Sequence, residues 1–109
     1  MLTPGRLRCE YLDNPLGIDT REPRLSWVLE SEQNGQRQTA YRITAATSVT
    51  ALQADAPDLW DSGRVESAES VHVRYAGVPL RSRQRCCWRV QVWDREGEEA
   101  GVSEVAWFE

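Results

Sequence analysis

The sequence predicts an all-β chain, an antiparallel sandwich of about seven strands in one domain over residues 1–109. Three observations lead there. Apolar residues alternate with polar ones at a period of two along most of the chain. Turn signals rich in Gly, Pro, Asn and Asp separate these runs at short, regular intervals. Residues 86–94 carry the clearest strand: Trp88, Val90 and Val92 fall on one side, and Cys87, Arg89, Gln91 and Trp93 on the other.

The elements follow in order. Residues 7–12 read as a first strand, and a turn-rich connection through Asn14-Pro15-Leu16-Gly17 leads to Pro23. In residues 24–30, Leu25, Trp27 and Leu29 share one face while Arg24, Ser26 and Glu30 share the other, a half-buried strand. Asn34-Gly35 is a turn, and in residues 38–47 Tyr41, Ile43 and Ala45 face inward. In 48–57, Val49, Leu52 and Ala56 would suit a helical turn, but Pro57 and the small polar residues favour a loop. An edge strand over 59–65 breaks at Gly63, and 70–75 sets Val71, Val73 and Tyr75 against His72 and Arg74. Residues 77–84 connect to the strand at 86–94. A hairpin then turns through Asp94–Glu98, with Gly97 available for positive φ, into a final strand over 102–109.

Composition sets limits on function. A charge of −4 argues against a nucleic-acid partner, since a phosphate backbone selects for clustered positive charge. No run approaches the roughly 20 apolar residues of a membrane span, and residues 1–6 lack the apolar core of a secretion signal. Of the three cysteines, Cys86 and Cys87 point to opposite faces of one strand, so a bridge between them would be strained. Cys9 could reach one of them, but free buried thiols are the simpler expectation, and with them a cytoplasmic location. Five Trp in so short a chain predict large anchors in a core or an interface.

Candidate chemistry is sparse. Glu98-Glu99 sits in a predicted turn as a solvated, like-charged pair. Asp58 and Asp61 flank Trp60, an arrangement that could stack on a sugar; the competing reading packs Trp60 on the sandwich edge and uses Asp61 to make a turn with Ser62 and Gly63. His72, the single histidine, has no Cys or acid spacing that would build a metal site, and no cofactor motif is present. Arg81, Arg83 and Arg85 read as a charged loop. Alternation turns Trp93 outward beside Arg89, giving two readings: a contact surface, or a residue folded over the rim. Trp60, Asp61, Arg89 and Trp93 are therefore the candidate contact or sugar-stacking residues, and no residue is a candidate for catalysis.

The Trp at the centre of the second strand, with Leu80 six residues before Cys86, resembles the fibronectin type III fold, an immunoglobulin-like sandwich. That fold usually has a tyrosine at the position of Cys86, whose hydroxyl ties down the corner; here it is missing. Five motifs in order extend the likeness over residues 7–109: Asn14-Pro15-Leu16-Gly17-Ile18-Asp19, Pro23-Arg24-Leu25-Ser26-Trp27, Gln38-Thr39-Ala40-Tyr41-Arg42-Ile43, Asp58-Leu59-Trp60-Asp61-Ser62-Gly63 and Trp88-Arg89-Val90-Gln91-Val92-Trp93-Asp94. Together they resemble the N-terminal fibronectin-III-like domain of bacterial α-L-rhamnosidases of glycoside hydrolase family 78. The resemblance implies a non-catalytic module whose partners are the other domains of the parent enzyme, with hydrolysis by inversion carried out in a separate barrel domain. The alternative it leaves open is a carbohydrate-binding module for rhamnosylated glycans.

Overall fold

The computed structural model describes residues 2–10, 12, 23–31, 35–80 and 84–109. Two antiparallel sheets face each other. One holds β1 (Thr3–Cys9), β2 (Arg24–Glu30) and β5 (Val73–Arg74) in the order β1-β2-β5. The other runs β4 (Trp60–Asp61), β3 (Ala40–Ala46), β6 (Cys86–Trp93) and β7 (Glu99–Val102), with β8 (Ala106–Phe108) also pairing with β6. A short helix, α1 (Val49–Gln53), follows β3. This is the antiparallel sandwich that the alternation predicts, of the immunoglobulin-like type that the resemblance implies.

The inward faces match it in detail. Leu25 and Trp27 of β2 are buried against Tyr41, Ile43 and Ala45 of β3 and Cys86, Trp88, Val90 and Val92 of β6. The register sets Ile43 opposite Val90 and small Ala45 opposite Trp88, so side-chain volumes complement one another across the ladder. Trp27 and Tyr41 meet edge to face across the two sheets, with centroids 5.3 Å apart. The indole N–H of Trp88 has no hydrogen-bond partner among the described residues.

Several elements differ from expectation, each for a local reason. The first strand runs Thr3–Cys9, because the chain turns at Glu10, whose φ is 51°, and Cys9 and Leu12 close that turn with paired main-chain bonds of 2.9 Å. Residues 49–53 are helical where a loop was expected. The Ser48 hydroxyl accepts from Ala51 N, Leu52 is wholly buried, and Pro57 lies beyond the helix end, where it breaks no helical bond. The strand expected over 70–75 shrinks to Val73–Arg74: His72 takes φ 59° and Val71 is exposed, while Ser67 and Glu69 bind Gln38 through their carbonyls. The last strand divides in two at Ser103, which turns inward so that its N–H donates to Val90 O and its hydroxyl accepts from Val90 N. The 86–94 strand ends at Trp93, and the edge strand of 59–65 reduces to Trp60–Asp61 plus a bridge from Val65 to Tyr41.

Gly97, at φ 76°, makes the hairpin as predicted, with Asp94 accepting from the N–H groups of Glu96 and Glu98. Ahead of the corner at Cys86, the Tyr75 hydroxyl donates to Val78 O at 2.6 Å. Gly77 makes room for it: a Cβ there would lie 2.5 Å from Leu59 O and 2.7 Å from the Tyr75 hydroxyl. Cys9, Cys86 and Cys87 are free and buried. The connection at 13–22, including the Asn14–Asp19 motif, and Asn34, Arg81 and Arg83 lie outside the described residues.

Candidate functional site on the outer face of the larger sheet

Side chains of β3 and β6 that do not enter the core share the solvent side of the larger sheet. Thr44 stands opposite Arg89 and Arg42 opposite Gln91. With Asp55 and Val102 these residues line a pit of about 40 Å³.

Asp61 enters this face from β4, which pairs with Thr44 and Ala45. Arg42 grips it with two bonds, Nε to Oδ1 at 2.9 Å and Nη2 to Oδ2 at 2.7 Å, and Gly63 N donates to the same Oδ1. The Arg42 side chain is the main cause that holds the Asp61 carboxyl at about 2, well below its ordinary value. Asp58, the other acid of the expected pair, is engaged elsewhere, accepting from Thr47 N at 2.8 Å and Thr47 Oγ1 at 2.7 Å. Those bonds hold its pKa down as well, the hydroxyl first. The two acids thus serve two separate turns and do not form a pair.

Trp60 is half-buried, packed on the main core and edge-on to Tyr75 at 5.3 Å. Arg89 directs Nη2 to Leu52 O at 2.8 Å, so it fastens the C-terminal turn of α1 to the sheet. Trp93 lies on the outer face, as alternation requires, yet is only 7% exposed because the Arg64 guanidinium stacks 4.9 Å from its ring centroid. Arg89 and Trp93 are four residues apart on one strand face, roughly 13 Å along β6. Asp61, Arg89 and Trp93 therefore occupy the outer face without converging on one point, and Trp60, paired with inward Ala45, lies on the core side of the edge.

His72 is exposed. Glu98 and Glu99 are exposed beside the β6–β7 turn. Arg85 stacks on Trp107 at 4.1 Å and pairs with Glu109 at 3.0 Å. Among the described residues no three His, Cys, Asp or Glu gather as a metal ion would require, and no helix is long and apolar enough to cross a membrane.

Sequence reasoning missed Gln38. It is 1% exposed, accepts the Trp27 indole N–H at 2.9 Å and donates to Ser67 O and Glu69 O. Its place at the head of the Gln38–Ile43 motif was the available signal. Its neighbour Thr39 donates its hydroxyl to Asp94 O at 2.6 Å, tying the same motif to the one that ends at Asp94. Gln38 and Thr39 are thus ties between strands and turns.

Residues 4–109 match the family described as Rha78A-like, N-terminal immunoglobulin domain. The chain is 47% identical over 100 residues to an alpha-L-rhamnosidase of Streptomyces avermitilis and 38% identical over 96 residues to one of Formosa agariphila, covering 92% and 88% of this chain. It spans about a tenth of the length of those relatives. The crystal structure of the S. avermitilis alpha-L-rhamnosidase complexed with L-rhamnose superposes with a TM-score of 0.94 at 44% identity, over 100% of this chain and 10% of that one. The alpha-L-rhamnosidase from Dictyoglumus thermophilum gives 0.93 at 36% identity, over 98% of this chain and 12% of that one. With the motifs, the sandwich and these likenesses in agreement, the chain belongs to the Rha78A-like N-terminal immunoglobulin domains.

Proposed function

We propose that the chain is a non-catalytic module of an α-L-rhamnosidase, acting in the docking and assembly of the parent enzyme, which hydrolyses terminal α-L-rhamnosides. The observation that supports this reading is the structural engagement of four carboxylates among the described residues. Asp61 is held by Arg42, Asp58 by Thr47, Asp94 by its own turn and Glu10 by Arg24. An inverting hydrolase needs one raised carboxylic acid and one base about 6.5–9.5 Å apart around a sugar. Asp61, Asp58 and Glu10 instead have lowered pKa values and serve the fold, Glu10 chiefly through the Arg24 side chain. Hydrolysis then falls to another domain of the parent.

The test compares the purified chain with the full-length parent on a chromogenic α-L-rhamnoside. The parent releases β-L-rhamnose as first product, and the chain alone releases no more than buffer. Turnover by the chain would reject the reading. Titration with millimolar L-rhamnose checks the carbohydrate-binding alternative, since specific amide shifts around Trp60 or Trp93 would move the function from assembly to glycan capture.

A further inference from the structure

Leu12, Val28, Val49, Val71, Val78 and Val102 are exposed aliphatics among the described residues. Isolated ones are ordinary on a folded surface. Val102 differs, because it helps to line an open groove of about 420 Å³ between β1 and the β7–β8 segment. Residues 3–7 form one wall, and Val102 with residues 104–106 forms the other.

Both walls are irregular. β1 shifts register between Gly5 and Arg8, with Arg6 at φ 46°. Opposite it, residues 103–105 lie between β7 and β8, with Ser103 held to Val90 of β6 through its N–H and hydroxyl. At one end β1 and β7 are clamped main chain to main chain: Gly101 N donates to Leu2 O at 2.7 Å, and a Cβ at Gly101 would lie 2.9 Å from both Leu2 O and Thr3 Cα. The groove is therefore preformed. Its apolar lining is buried Pro4 and Ala106, half-buried Leu7 on the main core, half-buried Val105 on the Leu52 cluster and exposed Val102, with Arg6 and Glu104 as its charged members.

We propose that this groove seats an extended segment of the parent polypeptide from outside these 109 residues. A branched aliphatic side chain of that segment sits among Leu7, Val102 and Val105, and its main chain runs beside residues 103–105. The inference rests on the reading of the chain as one domain of a larger rhamnosidase. The matched part is 10% of the length of the S. avermitilis relative, so far more chain lies outside the sandwich than within it. The groove's size also selects a tethered occupant. A separate partner needs roughly 800 Å² on each side for a stable complex, which a slot for a few side chains does not supply, whereas a segment of the same polypeptide binds at high effective concentration.

Hydrogen–deuterium exchange on the full-length parent and on the 109-residue chain tests this. Amides of Thr3, of residues 5–7 and of residues 102–106 are expected to exchange at least about tenfold more slowly in the parent. Val102→Arg in the parent removes that protection, and Val71→Arg, also exposed but outside the groove lining, does not. Protection confined to another face, with 3–7 and 102–106 unchanged, overturns the groove while leaving the assembly reading intact. No protection anywhere overturns both. Protection that grows with concentration in the isolated chain assigns the groove to a second copy and overturns the proposal. The wild-type comparison stands even where a variant fails to fold.

Discussion

Gln38 holds Trp27: its side-chain oxygen accepts the indole N–H at 2.9 Å, and its amide nitrogen donates to the carbonyls of Ser67 and Glu69. One buried side chain thereby joins β2, the start of β3 and the approach to β5. Gln38→Leu leaves the indole donor and two carbonyls without partners and should destabilise the chain by about 3 kcal/mol. Urea denaturation checks it; a loss below about 1 kcal/mol would mean that these groups rehydrate freely.

Arg42 and Asp61 predict an acid limb. The Asp61 carboxyl is held at about 2 against an ordinary 3.8, so the pair's contribution is complete above pH 4 and is lost as pH falls through 2. Asp61 is 40% exposed, and solvent screening limits the contribution to about 1 kcal/mol or less. Asp61→Asn should lower stability at pH 7 and flatten its decline between pH 4 and 2. An unchanged acid limb in the variant would place the effect elsewhere.

Leu52 anchors α1 over Ala46 and Cys87. Leu52→Ala should cost about 2–3 kcal/mol, the low end for a core leucine because this satellite cluster is small and can relax. Ser48→Ala, which removes the N-cap, should cost about 1 kcal/mol. Thermal melts of both variants give the comparison, and a larger loss for the cap than for the leucine would contradict this account of the helix.

The thiols give an alkaline counterpart. Burial first, and then the charge of Glu10, push the Cys9 pKa up to about 12 from 9.0, and burial likewise raises Cys86. A raised folded pKa means that this stability is full below pH 9 and falls as pH climbs toward 12. At pH 8 the native thiols should resist iodoacetamide and react once urea unfolds the chain. Rapid native labelling of Cys9 or Cys86 would contradict it.

Much of the sandwich is legible in the sequence where side chains alternate strictly, as in Leu25–Leu29, Tyr41–Ala45 and Trp88–Val92, because burial of one face leaves a period-two trace. What the sequence hides is set by single polar contacts. Nothing in the spacing announces that Ser103 divides the last strand or that Ser67 and Glu69 are tied to Gln38. The helix at Val49–Gln53 is short enough for Pro57 to mask it. On the outer face, alternation correctly turned Trp93 away from the core, but the cover by Arg64 is a contact between residues 29 positions apart, which no local pattern encodes.

Trp88 carries one more consequence. It is 1% exposed in an apolar core and its indole N–H has no partner among the described residues, whereas Trp27 is bonded to Gln38 and Trp93 and Trp107 lie beneath guanidinium groups. An indole without a polar neighbour emits at the short-wavelength edge of tryptophan fluorescence. The blue side of this chain's emission should therefore follow the interior between the two sheets, and the red side the surface indoles, so a single spectrum distinguishes loss of the core from rearrangement of the outer face.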